Sequence, residues 1–214
     1  MNKEEQIKVV SISYFISIIA SLILNYLKFS YFNIDGILSA IRVSTILTVW
    51  WIFYFDKGWK IKYLNKILYR INLNGTWYGE YKSGNIDNDN IYNGEIVIRI
   101  KQSFLSLSIN SYTEKYGNYS YSEVLKYDEK RGTHGIVYVY SQKENNPLDL
   151  TARNGTAELI VSEDGDVYKM IGEFWTILGS RGKLEVTRVS DKIVDSFSEG
   201  KKLYNDSNNN KGDS

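Results

Sequence analysis

The sequence contains no cysteine, one histidine and one proline in 214 residues. Without cysteine the chain has neither disulfides nor thiolate metal sites. A zinc site would have to combine carboxylates with the imidazole of His134, which is an uncommon set of ligands. We therefore expect no metal and no cofactor.

An excess of charge and a catalytic motif are also missing. The chain has 26 basic and 25 acidic residues, a balance that argues against a polymeric nucleic acid or a strongly acidic partner. No serine or carboxylate forms a recognisable motif with His134, and no phosphate-binding GxxxxGK[ST] loop occurs. An enzyme would need a convergent set of acid, base and nucleophile, so we expect a protein that is not an enzyme.

Two apolar runs lie near the N-terminus. Residues 9–27 carry no charge and would span roughly 28 Å as a helix, close to the thickness of the bilayer's hydrocarbon core. Residues 34–55 end in aromatic side chains, which favour a membrane interface. The pattern predicts a two-helix transmembrane hairpin over residues 1–56. A signal peptide is the alternative for the first run, but that run lacks a small-residue cleavage site.

Basic residues beside the runs predict the orientation of the hairpin. They are frequent between Lys57 and Arg70, whereas the loop between the runs carries only Lys28, so both ends should be cytoplasmic. Residues 57–72 form a basic, amphipathic linker, whose pattern is also typical of an interfacial helix leading off the membrane, and the two descriptions do not exclude each other. Arg42 lies within the second run, where a guanidinium is costly unless it is paired. It either lines a helix–helix or oligomer interface, or extends its stem to the membrane surface.

From residue 73 to residue 190 the pattern changes to an alternation of period two, which is typical of half-buried strands. Turn signals such as Ser83-Gly84-Asn85 and Asn154-Gly155 separate eight candidate strands. Strands of this number and length predict an antiparallel β-barrel that encloses one small ligand, with a two-sheet sandwich as the alternative. The fold class is therefore a membrane-anchored all-β protein. Residues 191–214 lose the apolar pattern and are predicted to be disordered.

Tyrosine occurs 18 times, and several tyrosines are spaced two apart, which places them on one face of a strand. If that face points inward, the rings could stack on nucleobases, at about 1–3 kcal/mol per base, while arginines neutralise phosphates. The alternative is that they are ordinary core and surface residues. The predicted ligand-binding residues are Trp77, Tyr81, Arg99, Tyr119, Tyr121, Tyr138, Tyr140, Arg153, Trp175 and Arg181.

The order of several short motifs behind the two apolar runs resembles a known family. The first motif, residues 73–81, reads LNGTWYGEY, and residues 118–122 read NYSYS. Residues 155–159 read GTAEL, and residues 182–189 read GKLEVTRV. Over residues 7–190 the chain resembles the SMODS-associating, two-transmembrane, β-strand-rich effectors of bacterial cyclic-oligonucleotide-based antiphage signalling (CBASS).

The resemblance implies a function. A partner nucleotidyltransferase makes a cyclic dinucleotide after phage infection, and the barrel binds it. Binding then drives homo-oligomerisation through the transmembrane helices, the bacterial inner membrane is disrupted, and the cell dies before phage matures. The alternative from the residues alone is a membrane-tethered, lipocalin-like carrier of a lipid, whose barrel would be lined by aliphatic side chains.

Overall fold

The computed structural model describes residues 3–31, 36–66, 68–85, 88–128, 132–144, 153–164 and 167–212. The chain divides into two compact units. The first comprises Met1–Asn72 and Ser103–Leu105, and the second comprises Leu73–Gln102 and Ser106–Ser214.

The first unit contains two helices, α1 (Lys3–Tyr31) and α2 (Gly36–Asp56). The Trp51 indole Nε1 in α2 donates a 2.8 Å hydrogen bond to the Ser13 hydroxyl in α1. A buried cluster follows the end of α2 and consists of Tyr54, Trp59, Leu68 and Phe104.

The segment after α2 is not the continuous interfacial helix that was one interpretation of residues 57–72. It contains two single 3₁₀ turns, Gly58–Lys60 and Leu64–Lys66. The backbone of Ile61 is extended, with φ −77° and ψ 122°, and this ends the first turn.

Over the described residues, no helix combines the length and the apolar character needed to cross a bilayer. The transmembrane hairpin therefore stays a prediction. Arg42 lies in α2, but its side chain is outside the part of the chain that the structure describes. Many large apolar side chains of this unit are exposed, including Val10, Tyr14, Phe15, Leu22, Ile23, Tyr26, Val49 and Ile52.

The second unit confirms the predicted antiparallel barrel and excludes the sandwich. Each strand pairs with the next, and β8 pairs with β1, so that the sheet of eight strands closes. The strands are β1 (Gly75–Asn85), β2 (Asn88–Gln102), β3 (Leu107–Tyr112), β4 (Tyr116–Asp128), β5 (Thr133–Glu144), β6 (Arg153–Asp164), β7 (Val167–Thr176) and β8 (Ser180–Ser190).

The C-terminal segment differs from the predicted disorder, because it forms the helix α3 (Phe197–Gly212). The Ser196 hydroxyl begins the helix by accepting a 3.3 Å hydrogen bond from the backbone N–H of Glu199. The helix covers an apolar patch on the outside of the barrel, where Tyr204 stacks on Tyr78 with 4.2 Å between ring centroids. Burial of that patch stabilises α3. The polar composition of the segment does not indicate this stabilisation, because it comes from packing against the barrel.

Candidate functional site

The interior of the barrel has two chemically different halves. The lower half lies at the end where β1 begins and β8 ends, and the upper half lies at the opposite end. Aliphatic side chains that are at most 1% exposed fill the lower half, among them Ile98, Ile136, Leu159, Met170 and Val186. This half is a packed core, so the upper half is the candidate site for a polar ligand.

Aromatic residues of the upper half face glycines on the neighbouring strand. The register pairs Tyr81 with Gly94, Tyr140 with Gly155, and Phe174 with Gly182. Each ring occupies the space in which the Cβ atom of a larger residue at the glycine position would lie. A Cβ atom would lie 2.7 Å from the Tyr81 ring at Gly94, 2.5 Å from the Tyr140 ring at Gly155, and 2.4 Å from the Phe174 ring at Gly182. The glycines thus let the rings lie close to the backbone of the barrel wall.

Polar side chains form an inward-facing row in the same half. The register pairs Ser111 with Asn118, Asn118 with Gln142, and Gln142 with Arg153. The Arg153 guanidinium carbon lies 5.4 Å from the centre of the Tyr116 ring, within cation–π distance. The row offers hydrogen-bond donors, acceptors and one positive charge to a bound molecule.

The inward tyrosines of this half remain protonated near neutral pH. Burial raises the pKa of Tyr140 to about 12. The pKa of Tyr138 is raised further by burial and by the neighbouring Tyr140, and burial also raises the pKa of Tyr81. Because these hydroxyls stay neutral, they can donate hydrogen bonds to an anionic ligand without repelling it.

Four of the predicted ligand-binding residues come together in the upper half, namely Tyr81, Tyr138, Tyr140 and Arg153. Trp77 also points inward, but it is fully buried in the lower half. Its Nε1 donates a 3.1 Å hydrogen bond to the carbonyl oxygen of Leu73. Trp77 is therefore placed as a residue of the core.

The other predicted ligand-binding residues lie outside the barrel lumen. Arg99 faces outward and forms an ion pair with Asp195. Trp175 is 42% exposed and is paired across the strands with Arg181. Tyr119 and Tyr121 are 43% and 61% exposed. The prediction that these side chains point into the barrel is therefore wrong for five residues: Arg99, Tyr119, Tyr121, Trp175 and Arg181.

Sequence reasoning missed Asn118, Gln142 and Phe174 as members of the upper half. A signal for Phe174 was present, because glycine within a strand often marks the close approach of another group, and Gly182 lies in β8. No comparable signal existed for Asn118 and Gln142. Their inward direction depends on the pairing of β4 with β5.

His134 lies inside the lower half, where its ring centroid is 4.8 Å from that of Tyr127. Burial lowers the pKa of this imidazole, and the nearby Glu163 carboxylate opposes that effect in part. In the described part of the chain, no three histidine or carboxylate side chains are grouped so as to hold a metal ion. The position of His134 is that of a residue in the core.

A separate groove of about 780 Å³ lies on the outside of the barrel, between α3 and the connection from β3 to β4. The charged residues that line it are Glu114, Asp195, Asp206, Lys201 and Lys202. Acidic groups outnumber the basic groups there, so the groove does not suit an anionic ligand. The upper half of the barrel is the better candidate site.

A closed barrel with an aromatic and polar upper half has the features of a receptor for a small ligand. Residues 71–188 match the family model described as "Cap15, cyclic dinucleotide receptor domain". The match covers more than half of the chain, and the chain belongs to this family of CBASS effectors, which confirms the resemblance. No curated protein matched the chain.

Proposed function

We propose that this protein is an antiphage effector whose barrel binds a cyclic dinucleotide in its upper half. On binding, the protein oligomerises through α1 and α2, disrupts the inner membrane and causes abortive infection. A partner nucleotidyltransferase supplies the ligand. The observation that carries the proposal is the set of wall-lying rings, Tyr81, Tyr140 and Phe174, inside a domain of the Cap15 receptor family.

The chemistry of a cyclic dinucleotide fits the upper half. Its two bases can stack on the aromatic rings, each for about 1–3 kcal/mol. Its phosphates can accept hydrogen bonds from the neutral hydroxyls of Tyr138 and Tyr140 and a charge-assisted bond from Arg153. The acyl chain of a lipid would offer no hydrogen-bond acceptor to the hydroxyls of Tyr138 and Tyr140, so a lipid fits this half less well.

The exposed apolar side chains of α1 and α2 support the membrane part of the proposal. Val10, Phe15 and Leu22 are each more than 60% exposed. Apolar surface of this extent is favourable in lipid or in contact with another chain. We place the protein in the bacterial inner membrane, with its N-terminus and its C-terminal domain in the cytoplasm, on the basic residues that follow α2.

The ligand is tested by calorimetry on the full chain in detergent, with a panel of cyclic dinucleotides and fatty acids. We expect one class of cyclic dinucleotide to bind. Tyr140→Leu should weaken that binding about tenfold, because a stacking partner is lost. Tyr121→Leu is the matched control, since its ring is 61% exposed, and should leave affinity within about twofold. Binding of fatty acids alone, or equal effects of both variants, would contradict the proposal.

The membrane step is tested separately in cells that produce both the protein and the cyclic dinucleotide identified by calorimetry. We expect a membrane-potential dye to report depolarisation only when both are present. Crosslinking of the same cells should then yield species larger than a monomer. If the ligand binds but no depolarisation follows, the protein is a receptor that does not disrupt the membrane, and this part of the proposal is wrong.

A further inference from the structure

The side chain of Asn118 has a buried hydrogen-bonding atom that the fold does not use. Asn118 is 8% exposed, and its Nδ2 donates a 2.8 Å hydrogen bond to the Ser111 hydroxyl. Its Oδ1 is buried, and no donor among the described residues forms a hydrogen bond to it. A buried carbonyl oxygen without a donor is unfavourable, so its position calls for an explanation.

The location of the amide suggests what would pair with it. Asn118 faces the interior of the upper half, in the row that continues through Gln142 to Arg153. Ser120, two residues further along β4, is paired directly with Tyr140. Successive inward residues of a strand are about 7 Å apart. A base that stacks on the Tyr140 ring can extend over a distance of this order toward Asn118. The acceptor thus lies where the edge of a stacked base would reach.

The contact with Ser111 uses one N–H of the Asn118 amide. The buried amide atom without a partner is Oδ1, an acceptor, so the ligand group that would satisfy it is a donor. The exocyclic amines of adenine, cytosine and guanine are donors. Hypoxanthine and uracil carry an oxo group, an acceptor, where adenine and cytosine carry the amine, and hypoxanthine carries only hydrogen where guanine carries it. If an oxo group of the base faced Oδ1, two buried acceptors would face each other without a donor between them, which is unfavourable.

We propose that Asn118 is a specificity-determining residue, whose Oδ1 accepts a hydrogen bond from the exocyclic amine of one base of the ligand. The receptor therefore selects a cyclic dinucleotide with at least one amino-bearing base. This inference rests on the proposed function, since it assigns a role within the same site.

The test compares two ligands that differ in whether one base carries the amine. The tightest cyclic dinucleotide from the panel is set against its analogue that lacks the amine, with hypoxanthine in place of adenine or guanine, or uracil in place of cytosine. The full-length wild-type chain should bind the analogue at least about tenfold more weakly. Asn118→Leu should bind both ligands with affinities within about threefold of each other, because the acceptor is gone.

The control is Asn154→Leu, at an exposed position on the outer face of β6, and it should retain the preference of the wild type. If Asn118→Leu does not fold, Asn118→Ser provides a smaller replacement for the same comparison. Equal binding of both ligands by the wild type overturns the inference, as does an unchanged preference in the Asn118 variants. Failure of every cyclic dinucleotide to bind the wild type would instead refute the proposed function itself.

Discussion

At the scale of single residues, the glycines of the upper half decide where the aromatic rings lie. Gly155 is closely restricted, because a Cβ atom would lie 2.5 Å from the Tyr140 ring and 2.9 Å from the carbonyl oxygen of Trp175. The ring can move, but the backbone oxygen cannot move without disturbing the pairing of β6 with β7. A side chain here would therefore displace Tyr140 toward the ligand.

We predict that Gly155→Ala lowers the free energy of unfolding by about 1–3 kcal/mol, because the site becomes overpacked. It should also weaken ligand binding. Chemical denaturation and calorimetry of the full chain measure the two effects. Gly135→Ala is the matched control, since no atom lies within 4 Å of its added Cβ, and it should change stability by less than about 0.5 kcal/mol. Similar effects of both variants would show that the tyrosine is not held by the glycine.

His134 gives the barrel a predictable dependence on pH. Burial lowers the pKa of this imidazole in the folded state, whereas an unfolded histidine titrates near pH 6.5. The unfolded chain therefore binds the proton more readily, and stability should fall as the pH drops below about 6.5.

The variant His134→Leu removes this titration. We expect its unfolding temperature to fall less than that of the wild type between pH 7.5 and pH 5.5, as measured by thermal denaturation of the full chain. His134→Gln, which is polar but does not titrate, should show the same flatter profile. A pH dependence identical in all three proteins would mean that other groups control acid stability.

At the scale of elements, α3 completes the core on the outside of the barrel. Tyr78 of β1, Val97 of β2 and Tyr112 of β3 form a buried cluster with Val194. Without the helix these three strand residues would be exposed on the outer face. The helix is thus part of the folded domain, although its own sequence is polar.

We predict that Tyr204→Ala destabilises the barrel by about 1–3 kcal/mol, because it removes both the stacking on Tyr78 and apolar burial. Denaturation of the full chain measures this loss. Lys202→Ala on the same helix is exposed and should stay within about 0.5 kcal/mol of the wild type. If Tyr204→Ala is equally neutral, the helix does not contribute to the stability of the barrel.

At the scale of the whole molecule, the proposal assigns sensing to the barrel and membrane damage to the N-terminal helices. Arg42 is the basic residue within the second apolar run, and a charge inside a bilayer is costly unless it is paired or reaches the surface. A variant at this position should therefore separate the two activities.

We predict that Arg42→Leu binds the ligand with unchanged affinity but kills cells less effectively at matched expression, because a polar contact of the assembly is lost. Viability counts and calorimetry check the two parts. Lys62→Leu, a basic residue beyond the apolar runs, is the control and should kill like the wild type. Undiminished killing by Arg42→Leu would remove this residue from the mechanism.

Much of the barrel was predictable, because the alternation of residues such as Ile96, Ile98 and Ile100 is a local property of the chain. Four of the predicted site residues reached the upper half because their strands alternate regularly. Arg99 and Trp175 were misplaced because a period of two does not say which of the two faces is inside. The helix α3 was missed although the capping pattern Ser196-x-x-Glu199 was present, since its few apolar residues gain stability only against the barrel.

The sequence by itself determined the number of strands, their antiparallel succession and the family, because these depend on local alternation, turns and the order of motifs. The tertiary structure alone decided the direction of each side chain in β4. Its register shifts between Ser120 and Ser122, so that Asn118 points inward before the shift and Glu123 points inward after it. A bulge of this kind reverses the alternation along a strand, and only pairing with the neighbouring strand reveals where it falls.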